Sequence, residues 1–173
     1  MGHLWHKISM KRIITKIGDI LCAEIDGDYK CYLQFIAVDF TQLNSTVIRV
    51  FKNHYPLDST PTMDEVVKGE VSFYAHVMLN NGIRDGVWYK VGKHKDVGDT
   101  DNIMFRQHQD IDIKTWERKD IWYVWKINQE DIRVGECLPE EYRELSLGSV
   151  FHYERIIEKI KTGKFYGGRS KYE

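Results

Sequence analysis

Seven histidines, at positions 3, 6, 54, 76, 94, 108 and 152, are the side chains of this sequence best suited to moving protons or holding a metal near neutral pH. No two stand in the H-x-x-x-H or H-E-x-x-H spacing that would set two imidazoles on one helix face around zinc. His76 falls on the polar side of an alternating strand and His108 on another strand, so both read as partly exposed surface histidines. The three cysteines, Cys22, Cys31 and Cys137, have neither a metal-ligand nor a C-x-x-C spacing. With Asp26-Gly27 as a two-residue turn, residue 25 pairs with 28 and Cys22 faces Cys31 at a non-hydrogen-bonded position, where a disulfide is geometrically allowed. Both thiols would then share a face with Ile20, Leu33 and Phe35, and in a reducing cytosol they are expected to stay free as small buried hydrophobes.

The segment Asp96-Val97-Gly98-Asp99-Thr100-Asp101-Asn102 alternates carboxylates as a calcium loop does, but lacks the D-x-[DN]-x-[DN]-G order and the glutamate at the twelfth position. It reads as a solvated turn. No G-x-S-x-G elbow, P-loop or G-x-G-x-x-G fingerprint occurs, and Gly167-Gly168-Arg169 is too short to replace one. Nothing here argues for an enzyme, and no metal or cofactor is expected.

The chain has 173 residues, enough for one domain, with 42% hydrophobic and 13% aromatic residues to build a core. Lys and Arg total 25 against 26 acids, so the basic excess needed for a general nucleic-acid coat is missing. This near-neutrality hides segregation. Five aspartates (Asp96, Asp99, Asp101, Asp110, Asp112) against Arg106 give the stretch 96–112 a charge of −4. Residues 129–144, with Glu140 and Glu141 among six acids, also carry −4, whereas residues 155–173 carry +4. Such patches suit steering of a basic partner by complementary potential; Asp96, Asp99, Asp101, Asp110, Asp112, Glu140 and Glu141 are the candidate contacts. The basic stretch Met1–Arg12 is not followed by an apolar signal core, and no run approaches the ~20 apolar residues of a membrane span. A cytoplasmic protein without membrane contact is expected.

Positioning these residues requires strands at 18–25 and 29–39 around the Asp26-Gly27-Asp28 turn, and a third at 46–51. A short helix follows over 63–68, capped by Thr62. The segment 71–79 alternates, with Val71, Phe73, Ala75, Val77 and Leu79 on its apolar side. Asn80-Asn81-Gly82 and Asp85-Gly86 then bracket a tight reversal into a strand 87–91 that pairs back antiparallel. Further strands are expected at 103–108 and 121–127, the latter apolar on nearly both faces and so interior. One or two helical turns over 138–145 precede a stronger helix capped by Ser149, with Val150, Tyr153, Ile157 and Ile160 facing the sheet and Gly163 ending it. The fold class is α+β: a mainly antiparallel, strongly twisted sheet that could curl like a barrel in its N-terminal half, with a short middle helix and a C-terminal helix packed on it. A single domain over 10–163 is expected, with an N-terminal extension, 1–9, and a flexible basic tail, 164–173.

Several landmarks occur in order: Gly18-Asp19-Ile20, Asp26-Gly27-Asp28-Tyr29, Ile48-Arg49-Val50-Phe51, Pro61-Thr62-Met63-Asp64-Glu65-Val66, Val71-Ser72-Phe73 and Gly86-Val87-Trp88-Tyr89-Lys90-Val91-Gly92. Over residues 16 to about 110 the sequence thereby resembles a family of bacterial polymorphic-toxin immunity proteins, small α+β proteins of the cytosol. The resemblance implies a scaffold that uses Gly18, Asp19, Gly27, Tyr29, Phe73, Gly86, Trp88 and Gly92. On physical grounds Gly86 and Gly92 flank a strand as turn formers and Trp88 anchors the core. The implied function is non-catalytic binding of a cognate toxin, neutralised by occlusion. The alternative is a small-ligand or nucleic-acid binding module that stacks bases on the strand aromatics Tyr29, Tyr32, Trp122 and Trp125; nucleic acid is the less expected partner.

Overall fold

The computed structural model describes residues 12–112 and 114–165. The expected extension 1–9, His3 and His6 with it, and residues 166–173 of the expected tail lie outside the described residues. In chain order come β1 (Asp19–Ile25), β2 (Tyr29–Asp39), β3 (Ser45–Phe51), α1 (Met63–Val67), β4 (Val71–Val77), α2 (Leu79–Arg84) and β5 (Trp88–Lys93). They are followed by β6 (Met104–Ile111), β7 (Arg118–Lys126), β8 (Ile132–Gly135), β9 (Ser146–Leu147), β10 (Val150–Phe151) and α3 (Tyr153–Thr162). Among the described residues the strands form two open, mainly antiparallel sheets, ordered β10-β4-β3-β2-β1-β5 and β8-β7-β6-β9. The class is α+β. No barrel closes, because β10 and β5 remain the edges of the larger sheet.

The first hairpin turns through three residues. Asp26 and Gly27 both take positive φ (53° and 76°), and the Asp28 N–H reaches the Ile25 carbonyl at 2.9 Å. That extra residue slips the register by one from the expected pairing, so Cys22 pairs with Tyr32 and Ala23 with Cys31. A one-residue slip sends side chains to opposite faces. Cys31 accordingly packs with Leu33 and Phe35, and Cys22 on the other side with Ile20 and Tyr32. Both thiols are free and buried, and burial pushes Cys31 up to about 12.

One face of the larger sheet carries Leu21, Leu33, Ile48, Val50 and Ala75, and is covered by α3 through Ile156, Ile157 and Ile160. Each large side chain buried there contributes roughly 1.5–3 kcal/mol. Trp88 belongs to this core, its indole N–H donating to the Leu79 carbonyl at 2.9 Å. Its ring occupies the space where a Cβ at residue 82 would stand, so only glycine fits there. Asn80-Asn81-Gly82 is not a hairpin turn but part of α2, and β5 pairs with β1 at the far edge instead of with β4. Gly92 lies inside β5, where a Cβ would meet the Met63 side chain of α1, not beyond the strand's end.

The opposite face is shared. Val66 and Val67 of α1, whose N-terminus is closed by a Thr62–Glu65 capping box, cover Ile20, Cys22 and Phe51. Ile103, Phe105, Trp125 and Ile127 of the smaller sheet and its flanks cover Ile36, Ala37 and Val47. Within the smaller sheet β7 lies between β6 and β8, as its apolar sequence requires. The segment 138–145 forms one helical turn, of 3-10 type, over Glu140–Tyr142, the shorter of the expected one or two turns.

Residues 146–151 join the two sheets. Strand β9 pairs parallel with β6, β10 pairs parallel with β4, and Ser146 Oγ accepts the Tyr74 N–H at 3.3 Å. Val150 is thus in a strand, and α3 starts after His152 instead of after Ser149. The helix ends at Gly163 in the left-handed conformation. Phe165, placed by the sequence reading in a fraying tail, is buried, stacked on Phe151 at 4.2 Å and edge-on to Phe73.

Candidate partner-binding surface

The most concentrated polar chemistry lies between the sheets. Asp39, at the end of β2, accepts hydrogen bonds from His76 Nε2 (3.0 Å), Trp125 Nε1 (2.9 Å), the Asn128 N–H (3.2 Å) and the Gln42 N–H (3.4 Å). Burial alone would raise this carboxyl, but the hydrogen bonds outweigh it and hold the group below its ordinary range. His76 is fully buried, contrary to the partly exposed position expected of it, because the smaller sheet lies across the polar side of β4. Burial pushes the imidazole below its ordinary value against the pull of Asp39, so a neutral ring donates to an ionised carboxylate. The His76 Nδ1 atom is buried without a partner, so no nucleophile engages the pair. The cluster ties β2, β4 and β7 together.

A second buried network fixes the loop after β5. Arg49 donates from Nε to Gln34 Oε1 at 2.8 Å and from Nη2 to the Asp96 carbonyl at 2.9 Å. Gln34 Nε2 in turn donates to the carbonyls of His94 and Asp96. Asp96 keeps an exposed side chain on a fixed backbone. Asp99 accepts from Asn102 Nδ2 at 2.6 Å, and Asp101 is exposed in the 3-10 turn Thr100–Asn102.

The acidic stretch does not form one patch. Asp101 lies in the 3-10 turn before β6 and Asp110 near the strand's far end, and the extended run Met104–Asp110 between them alone spans about 20 Å. Asp110 is exposed. Asp112 is buried, its carboxylate accepting the Lys114 N–H at 2.9 Å and Arg133 Nη2 at 2.8 Å, which hold it below its ordinary range. It is a structural group rather than a contact. Glu140 and Glu141 are exposed on the 3-10 turn after β8. Of the scaffold residues, Gly18, Gly27 and Gly86 take positive φ, Asp19 is buried against Lys90 Nζ at 2.8 Å, Tyr29 stacks on His54, and Phe73 and Trp88 are buried.

The remaining histidines pair singly: His94 with Asp64, His108 with Asp120 and His152 with Glu154. Among the described residues no three His, Cys, Asp or Glu side chains could hold a metal. Tyr32, Trp122 and Trp125 are buried in core clusters, so they offer no face on which a base could stack.

Two features were not read from the sequence. One is a cavity of about 340 Å³ whose lining includes Arg106, Arg143, Lys159, Lys164, Ser146 and Phe165, gathering basic groups from β6, α3 and the segment before β9. The other is the turn between β6 and β7, where Trp116 is 81% exposed beside a half-exposed Ile111. A tryptophan set among Lys114, Thr115, Glu117 and Arg118 was the available signal, since core tryptophans rarely stand within a charged turn.

A family model described as Immunity protein 26 matches residues 16–119, which include this turn. No curated protein and no solved structure matches the chain.

Proposed function

Because the chain belongs to the Immunity protein 26 family, we propose that it binds a cognate bacterial toxin in the cytoplasm and neutralises it by covering its working surface, without chemistry of its own. The family match is the observation that carries this reading. Two structural features support it: the buried Asp39–His76 pair is closed to substrate, and the exposed Asp96 and Asp99 stand on a braced loop. Asp96, Asp99, Asp101, Asp110, Glu140 and Glu141 steer a basic toxin surface, as separate groups instead of one patch. Among the described residues no helix is long and apolar enough to cross a membrane.

Coexpression with the toxin encoded by the neighbouring gene tests the proposal. Protection of the cell and co-purification of a stable complex are expected; loss of both would refute it. Charge reversal at Asp99, Asp101, Glu140 and Glu141 should slow association more than it speeds dissociation, and should weaken its salt dependence.

A further inference from the structure

Trp116 is the most exposed of the large apolar side chains described, yet its backbone is held tightly. Its N–H donates to the Asp112 carbonyl at 2.7 Å, and the Thr115 N–H reaches the same oxygen at 3.2 Å. The Asp112 N–H returns to the Glu117 carbonyl at 2.9 Å, while the Asp112 side chain holds Lys114 from within and Arg133 of β8 from outside. Within this frame Trp116 takes a φ of 60°, a conformation bulky residues seldom adopt and keep only where their surroundings enforce it. An indole exposed to water and held by an enforced turn needs little further ordering on binding. Such preorganisation favours affinity, and tryptophan is enriched among residues that dominate protein interfaces. Lys114 and Arg118 flank it, with Glu117 the one acid between them, for a local charge of +1.

We propose that the β6–β7 turn is the anchor by which this protein grips its toxin: Trp116 inserts into an apolar socket on the toxin, whose rim presents carboxylates to Lys114 and Arg118. The inference rests on the toxin-neutralising reading and specifies its contact. The steering carboxylates then act at a distance, while the turn makes the buried contact.

Titration calorimetry of the toxin from the neighbouring gene against the full chain tests this, with a melting curve for each variant. Trp116→Ala should lose about thirtyfold in affinity with an unchanged melting temperature. Trp116→Phe should recover part of that loss, and Lys114→Glu combined with Arg118→Glu should weaken binding most at low salt. Phe40→Ala removes an apolar side chain that is 70% exposed elsewhere, and should bind within about twofold of the parent. The proposal is overturned if Trp116→Ala binds within about twofold of the parent, or if Phe40→Ala loses as much as Trp116→Ala does. A parent dimer that Trp116→Ala converts to monomer would assign the turn to a second copy of the chain, and overturns it as well. If the parent chain itself fails to bind, the toxin-neutralising reading falls and the anchor with it; a binding parent with an unaffected Trp116→Ala removes the anchor alone.

Discussion

The junction around Asp39 and the turn around Asp112 are built alike and exposed oppositely. In each, one carboxylate near the end of a strand gathers backbone N–H groups and a side-chain cation or donor from another strand. At Asp39 the enclosed tryptophan, Trp125, donates to the carboxylate and is sealed between the sheets; at Asp112 the framed tryptophan points into water. The same device thus serves cohesion in one place and presentation in the other. Disturbing the first should cost stability and leave intrinsic toxin affinity alone; disturbing the second should do the reverse.

The largest expected effect lies on the cohesive side. Trp88→Ala empties the centre of the main core and should cost roughly 3–5 kcal/mol in urea unfolding, with folded protein binding toxin as before. Asp39→Asn comes next. It removes the charge and one acceptor site beneath His76 and Trp125, at a cost of about 3 kcal/mol. If it weakened toxin binding at matched folded fraction, the contrast between the two regions would break.

Acidification probes the same junction more gently. His76 titrates below its ordinary 6.5 in the folded chain because it is buried. Once pH falls past 6.5 the unfolded chain takes up a proton that the folded chain refuses. This contribution is therefore complete above that pH and is lost as pH falls toward the folded value. A urea-midpoint series from about pH 8 to 5 should fall in the parent and fall less in His76→Gln; parallel curves would remove His76 from the account. Arg133→Ala should shift the urea midpoint least of the four. By loosening the frame around Trp116 it should nevertheless lower toxin affinity, which calorimetry beside the unfolding curve would reveal.

What could be read in advance was local. Thr62 capping α1, the Asp26–Gly27 turn, Gly163 closing α3 and the apolar β7 all depend on neighbours within a few residues, and each was found close to its expected place. The misreadings arose where a distant partner decides. Gly82 lies in α2, where the Trp88 ring fills the space of a Cβ, and β5 pairs with β1 at the far edge of the sheet, neither of which the neighbouring residues announce. His76 looked solvated because the alternation of β4 does not announce the sheet that will cover it. The expected acidic contacts were equally affected: adjacency in sequence suggested one patch, but an intervening strand drives its members apart, and Asp112 is consumed by Arg133.

The parallel pairings of residues 146–151 bear on the order in which the molecule assembles. Until that segment arrives, both β4 and β6 present unpaired edges, and the contacts it makes close loops spanning some seventy residues to β4 and forty to β6. Closures of that span are slow, and open edges recruit other chains in the meantime. During synthesis the two sheets can form and meet through the Asp39 junction, but the β4 and β6 edges stay open until most of the chain has left the ribosome. The interval before that last stitch is when the protein is most exposed to aggregation.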